Sequence, residues 1–511
     1  MTRLLPLFLA GFLGPQALAG EEEDPFEEVQ TLYESGAKAQ AADRLTEMLD
    51  DATLEPIQPR IHHRLGELLE ELSLPYGALV AYTHSLGGEP VDPESTDEKE
   101  QANRAARASA ADRSLQLAEE LGDTAILEPI FGGNMGLDVS AEMRGRIAYL
   151  AARDAQRDES FGTALAMLNM VSKDHESYAD AKSLEGIILA LQGRYNDALV
   201  PLLTARAIAQ DQQDADRLVN AIDLNLARTF YALENFPRAI EYYAKVERGN
   251  DYWPEAQFER AWAHFRLDDM NGALGLLQNH VSPFLADWYF PEGELLRVYS
   301  LFLMCKFSDA TDQIDAFKAH YDPIQSQLGQ VAGRSEQQLF EDMRALMEGR
   351  NSPLPNMVVR RFQHEDRFND ALKAVRAAED EMTRLQNIAA NPFGALASQW
   401  VGDRKRDIIA TEGARIREQL GDTEAQLGRM LTDVEISKLD MLDFERRMLE
   451  QASVGTLEDT RNLVNRKRKV KRGHVYWPWM GEYWADELGY YRVEARPSCP
   501  TSLQPRGDIT E

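Results

Sequence analysis

At 511 residues, 44% of them hydrophobic and 27% charged, the chain has the composition of a folded protein with a sizeable core and is too apolar for general disorder. Its 55 Lys and Arg against 85 Asp and Glu leave a net charge of -30, which repels phosphate and argues against nucleic acid as a partner. Nine scattered histidines and two cysteines form no His-Glu-x-x-His or Cys-x-x-Cys arrangement, so no metal or other cofactor is expected.

The first nineteen residues carry Arg3, an apolar run from Leu4 to Leu13, and end in Ala17-Leu18-Ala19, the small-x-small pattern of a secretory signal cleaved after Ala19. The expectation is a soluble, exported, periplasmic chain. No cysteine follows the run to accept a lipid anchor, and no later stretch offers the roughly eighteen apolar residues of a membrane span. An uncleaved N-terminal anchor is the alternative. Removing residues 1–19 takes away one Arg and no acid, leaving 54 basic against 85 acidic residues. Gly20 to Pro25 then forms an acidic leader.

From Phe26 to about Asp322 apolar residues recur at helical spacing, broken every 15 to 20 residues by short polar or Gly/Pro turns. Gly87 to Thr96 and Gly132 to Asp138 are longer interruptions; the first, acidic and Pro-containing, reads as a loop and the second as a turn between repeats. Within the helical stretches small residues sit twelve apart: Gly66 and Ala78, Ala152 and Ala164, Gly186 and Ala198, Ala227 and Ala239, Ala261 and Ala273. The steps from Ala164 to Ala198 and from Ala239 to Ala273 are both 34, the period of a helix-turn-helix repeat whose paired helices pack closely through one small residue each. This predicts N-terminal helical repeats over 20–130 and a repeat solenoid over 139–350.

Residues 179 to 317 resemble tetratricopeptide repeats, with Gly186, Leu189, Ala198 and Leu202, then Ala227, Phe230, Ala239 and Tyr243, then Ala261, His264, Ala273 and Leu277 at the positions that define them. His264 departs from the pattern. Val298, Leu301, Ala310 and Ile314 keep the register with a larger first residue, Gly66 to Tyr82 forms an earlier unit, and Ala152 to Leu168 a weaker one.

Ser352-Pro353-Leu354-Pro355 marks a break. Residues 357 to 389 and 396 to 453 are helical in pattern, joined by Asn391-Pro392-Phe393-Gly394, and predict a long helical hairpin over 356–455. Its heptads are imperfect, so a packed helix pair and a coiled coil both remain open. The last module, 461–511, has seven bases and no acid between Asp459 and Glu482, among them Arg466, Lys467, Arg468, Lys469, Lys471 and Arg472. Seven aromatics follow within sixteen residues: Tyr476, Trp477, Trp479, Tyr483, Trp484, Tyr490 and Tyr491. The alternation from Tyr491 to Arg496 reads as a strand. The fold class expected is therefore all-α, with a tetratricopeptide-like α-solenoid, a long hairpin and a small aromatic C-terminal module with a little β structure.

Cys305 and Cys499 could join in an exported chain. Cys305 lies in an apolar helix pattern, however, and is read as a buried free thiol.

The resemblance places repeat positions 2, 5, 9, 12 and 13 on the concave side, which nominates Arg228, Tyr231, Phe258, Trp262, Phe265, Arg266, Tyr299 and Phe302 as a partner-binding groove. Aromatics with Arg are the types that dominate interface energy. The alternative is that the final helices of the chain fill the groove. For the basic run three readings stand: a solvated helix end, a patch for anionic lipid or acidic wall polymer, and a docking patch for an acidic partner. The aromatics read as a small core sealing the solenoid or as a membrane-interface cluster.

Phe290-Pro291-Glu292, Cys305-Lys306-Phe307 and Tyr476 to Trp484 running into Asp486-Glu487-Leu488-Gly489 are similar to parts of exported tetratricopeptide proteins of deltaproteobacterial envelopes, some linked to gliding motility. That similarity implies an envelope complex.

Catalytic signals are weak. His62-His63 are adjacent and point about 100 degrees apart on a helix, which disfavours a shared ion. Gly132-Gly133-Asn134-Met135-Gly136 lacks the Lys-Ser/Thr of a phosphate loop, and no Gly-x-Ser-x-Gly elbow occurs. Glu482, Asp486 and Glu487 could pair as carboxylates for glycan cleavage only on a larger scaffold. The reading is a non-catalytic, exported scaffold for protein partners in an envelope complex; the alternative is a cell-wall or membrane-surface accessory protein acting through the C-terminal module.

Overall fold

The computed structural model describes residues 24–87, 96–133, 139–213, 215–363, 365–452 and 482–499. Residues 1–19, read from the sequence as a secretory signal, the basic run and Tyr476, Trp477 and Trp479 lie outside the described residues.

The described chain is all-α. Helices follow as α1 (Glu27–Glu34), α2 (Lys38–Leu49), α3 (Gln58–Glu71), α4 (Pro75–Leu86), α5 (Glu98–Leu121), α6 (Glu128–Gly133), α7 (Ala141–Arg157), α8 (Phe161–Leu168), α9 (Tyr178–Leu191) and α10 (Tyr195–Gln210). They continue as α11 (Asp216–Ala232), α12 (Phe236–Tyr243), α13 (Trp253–Arg266), α14 (Met270–Leu277), α15 (Pro291–Leu303), α16 (Phe307–Val331), α17 (Glu336–Met347), α18 (Asn356–Gln363), α19 (Asp366–Leu385) and α20 (Pro392–Ala452). Pro75, Pro237, Pro254 and Pro291 open their helices, where a missing N–H leaves nothing unpaired. Ser140, Asn235 and Asp269 cap α7, α12 and α14 with side-chain oxygens.

The small residues meet at the crossings. A Cβ on Gly66 would lie 2.6 Å from the Tyr82 ring, and one on Gly186 2.5 Å from Leu202 Cγ. Ala78, Ala152, Ala164, Ala198, Ala227, Ala239, Ala261 and Ala273 are fully buried. Each first helix also ends in the same way, on a residue with positive φ at the turn: Ser73, Glu159, Gly193, Glu234, Asp268 and Cys305. Each stands seven places after its unit's first marker residue, so six units share one phase. Five of the six accept a left-handed backbone without glycine, which costs roughly 1 kcal/mol each.

The hairpin closes the array. At 1.5 Å per residue α20 is about 90 Å long. Its first half shares one core with α2, α3, α4 and α5 through Phe393, Val401, Ile409 and Ile416. Its second half packs on α15 and α16 through Leu427, Leu431, Val434 and Met441. The helix thus links the first and last repeats, while the middle units pack on one another in smaller clusters. Gly413 allows α20 to pass against the Glu336 backbone at the start of α17.

Polar bonds fix the docking. Glu381 of α19, fully buried, accepts the Tyr76 and Gly77 backbone N–H groups at the start of α4, both at 2.7 Å. Arg404 of α20 donates two bonds to buried Asp123, at 2.6 and 2.9 Å, and the Tyr76 hydroxyl donates to the same carboxylate at 2.6 Å.

Three features differ from the sequence expectations. Cys305 is bonded to Cys499. The free-thiol reading failed because Cys305 sits at the left-handed turn after α15, at the edge of the repeat, and not within a helix. The stretch Tyr491 to Arg496 adopts no regular secondary structure and forms no strand. Its residues do alternate between half-buried and exposed, because the chain lies along the surface of α14, with no second strand beside it among the described residues. Asn391-Pro392-Phe393-Gly394 does not break the hairpin: the turn spans residues 386–391, Pro392 begins α20, and Gly394 is helical where a side chain would run into the Ile388 carbonyl.

Candidate functional site

The first helices of the late repeats, α11, α13 and α15, carry the nominated groove residues. Arg228 on α11 grips Glu259 on α13 with bonds of 3.0, 3.0 and 2.6 Å and also reaches Glu255 at 2.8 Å. Burial pulls the Arg228 guanidinium down, but the two carboxylates outweigh it and hold it above its ordinary value. Burial also pushes the Glu259 carboxyl up, against the pull of Arg228. Arg228 is thus already clamped across neighbouring units.

Tyr231 meets Phe236 edge-on at 5.2 Å, and Arg266 lies over the Phe236 ring at 5.0 Å, so these three form one aromatic-cationic group at the α11–α13 seam. Trp262 packs edge-on against Phe265 at 5.6 Å. Trp262 is half-buried and Arg266 exposed, whereas Phe258 and Phe265 belong to the inter-helix core. Tyr299 and Phe302 are covered: both pack in the cluster joined by α20, and Phe302 meets Phe444 of α20 at 6.0 Å. The eight residues therefore divide into a partly open group of Arg228, Tyr231, Trp262 and Arg266, an internal pair of Phe258 and Phe265, and a pair roofed by the hairpin.

Between α13, the α14–α15 connection and the hairpin lies a cleft of about 500 Å³. Its walls include Tyr252, Phe258, Trp288, Tyr289 and Phe290, with Asp251, Glu255, Glu259, Glu292 and Glu365. Trp288 and Phe290 stack at 5.8 Å with planes 4° apart, and Phe290 leans on His280 at 4.6 Å. Burial lowers His280 to about 4, so it is neutral at ordinary pH. Concave register nominated Phe258 here but not Trp288, Tyr289 or Phe290, which come from the connection before α15. Their aromatic run was the available signal.

The C-terminal segment, residues 482–499, straps across α13 and α14. Asn279 Oδ1 accepts the Gly489 N–H at 2.6 Å, and Asn271 both accepts from and donates to the Ala495 backbone, at 2.9 and 3.1 Å. Gln278 donates to the Tyr483 hydroxyl at 3.0 Å, and the Ser498 N–H bonds the Met304 carbonyl at 2.8 Å. Leu488 is buried beside Trp253 and Leu285, while Trp484 and Tyr490 are exposed. Asp486 and Glu487 are exposed on this strap. Of the basic run nothing can be placed, since Arg466 to Arg472 lie outside the described residues.

His62 and His63 diverge: His62 stacks on His84 at 5.1 Å and faces Trp400 of α20, whereas His63 faces Tyr82. Among the described residues no group of three or more His, Cys, Asp or Glu is placed to hold a metal ion, and no helix is long and apolar enough to cross a membrane.

No protein-family model matches the sequence, and no curated protein matches it. Among solved structures, the chain is similar to a Rap protein complexed with competence and sporulation factor, at 12% identity and a TM-score of 0.29, covering 76% of this chain and 99% of that one. It is similar to the P58(IPK) TPR domain at 11% identity and 0.22, covering 58% and 92%, and to the APC/C hetero-tetramer Cut9-Hcn1 at 14% and 0.20, covering 80% and 89%.

Proposed function

We propose that this protein is a non-catalytic scaffold that is exported and holds protein partners within an envelope complex. The observation that carries the reading is the partly open face of α11 and α13, where Tyr231, Trp262 and Arg266 stand together on helices fixed by their neighbours. Rigid aromatics and Arg on a preformed surface bind with little ordering cost. The Cys305–Cys499 bond supports export, because such bonds persist in oxidising compartments.

Pulldown from envelope extract with the mature chain tests this. The expected result is a discrete partner that is lost when Trp262→Ala and Arg266→Ala are combined, with folding intact by circular dichroism. Phe265 is unsuitable for the test because it lies in the core. No partner under any condition, together with sedimentation on purified peptidoglycan, would shift the function to wall binding through the C-terminal module.

A further inference from the structure

We infer that Asn271-Gly272 is a latent deamidation site: the docked C-terminal strap holds it closed, and once the strap lifts, conversion of Asn271 to aspartate or isoaspartate stops the strap from refastening. This chemistry is independent of the scaffold reading, since it needs only the chain itself and water.

Packing forces the reactive pair on the chain. It is the one Asn-Gly pair among the 511 residues. Asp269 caps α14: its Oδ1 accepts the Gly272 N–H at 2.9 Å, and its Oδ2 lies 2.9 Å from His264 Nδ1. A Cβ on residue 272 would run into that Oδ2 and lie 2.5 Å from the His264 ring nitrogen, so the cap as built admits only glycine. His264, the departure from the repeat pattern, thus belongs to the cap. Asn271 is fixed by the strap, since its Oδ1 accepts the Ala495 N–H at 2.9 Å and its Nδ2 donates to the Ala495 carbonyl at 3.1 Å.

With no side chain on residue 272 to hinder it, the Gly272 amide nitrogen can attack the Asn271 Cγ. The carboxamide nitrogen leaves as ammonia, carrying off the Gly272 amide proton, and water opens the resulting succinimide at either carbonyl. Amide plus water thus becomes carboxylic acid plus ammonia. Gly272 is the third residue of α14, so its N–H has no intrahelical acceptor to give up. Ring closure still requires Asn271 to leave helical ψ and its carboxamide to turn, and the two Ala495 bonds oppose both. Ala495 lies four residues before Cys499, so the Cys305–Cys499 bond keeps it in place. After conversion an acceptor stands where Nδ2 donated, facing the Ala495 carbonyl, and isoaspartate also adds a methylene to the first turn of α14.

The test incubates the mature full-length chain in warm, mildly alkaline buffer with and without a phosphine reductant, and follows aspartate and isoaspartate at position 271 by peptide chromatography and mass spectrometry. A synthetic peptide of residues 267–276 gives the unrestrained rate. Deamidation proceeds from the opened state, so the oxidised chain should react at least about tenfold more slowly than the peptide and speed up about tenfold on reduction. Ala495→Pro, which removes the strap's N–H with the disulfide intact, should speed it as well, whereas Asn271→Gln should stay unmodified. In the oxidised chain Asn271→Asp, the product itself, should raise amide exchange at Ala495 and Ser498 while the α9–α10 pair stays protected. An oxidised chain reacting as fast as the peptide, a rate unmoved by both reduction and Ala495→Pro, or wild-type exchange in Asn271→Asp each overturn the inference. Protection of the α9–α10 amides is followed in the same samples, and a rate that rises only where that protection is lost overturns it as well.

Discussion

Glycine at a helix crossing and glycine on a bare helix face make opposite demands on the same substitution. Gly186 faces Leu202 with no room for a methyl group, so Gly186→Ala forces the α9–α10 pair apart and should cost about 1–3 kcal/mol. Gly421, inside α20, has nothing within 4 Å of an added Cβ, and Gly421→Ala should gain about 0.5–1 kcal/mol from helix propensity alone. Urea unfolding of the two variants measures both. If Gly186→Ala is as stable as the wild type, the small residues are compositional and do not set the packing of the repeats. The same scale explains Cys305: counting seven from Val298 places it at the turn, where its side chain can leave the helix pair, so the register already read in the sequence held a clue to its pairing.

At the scale of helices, the docking of α20 onto α3 and α4 carries a pH dependence. Burial, with a smaller contribution from the neighbouring His84, lowers His62 to about 3, and burial alone lowers His84; both face Trp400. An unfolded imidazole takes up its proton near pH 6.5, so between that pH and the depressed native value the unfolded chain binds more protons than the folded one. Stability contributed by these neutral rings is therefore full above about pH 6.5 and is lost as pH falls, by up to about 1.4 kcal/mol per pH unit for each ring. His84→Phe keeps a ring in the stack and removes one titration. Its denaturant midpoint should fall less steeply than that of the wild type between pH 6.5 and 4, and identical slopes would refute the assignment. The repeats themselves were legible because helix crossings are local: residues twelve apart must be small whatever the rest of the chain does. The attachment of the hairpin was not. Glu381 meets Tyr76 and Gly77 across 305 and 304 positions, and Arg404 meets Asp123 across 281, and no periodicity records a bond between one charged residue and a distant helix start. The proposed face was readable only as a register. Register assigns residues to a side of a helix but does not separate Phe258 and Phe265, which pack inward, from Trp262, which stays half-open, nor does it show that α20 covers Phe302.

For the whole molecule, two long-range ties hold an open-ended array in one shape. One is noncovalent: α20 shares a core with the first repeats and another with the last. The second is the Cys305–Cys499 bond, which joins residues 194 apart and pins the strap that lies over α13 and α14. Closing so large a loop restricts the unfolded chain and should contribute about 2–5 kcal/mol. Reduction removes that restriction but leaves the strap's Asn271 and Asn279 bonds available, so the folded array should persist at lower stability with a loosened C-terminus. Denaturant midpoints measured with and without reductant should therefore separate for the wild type and coincide for Cys499→Ser. Amide exchange should rise along Gly489 to Ser498 in the reduced protein while the α9–α10 pair stays protected. A wild type indifferent to reductant, or reduction that exposes the middle repeats as readily as the strap, would mean that the bond does not restrain the C-terminus selectively and that α20 alone sets the shape of the array.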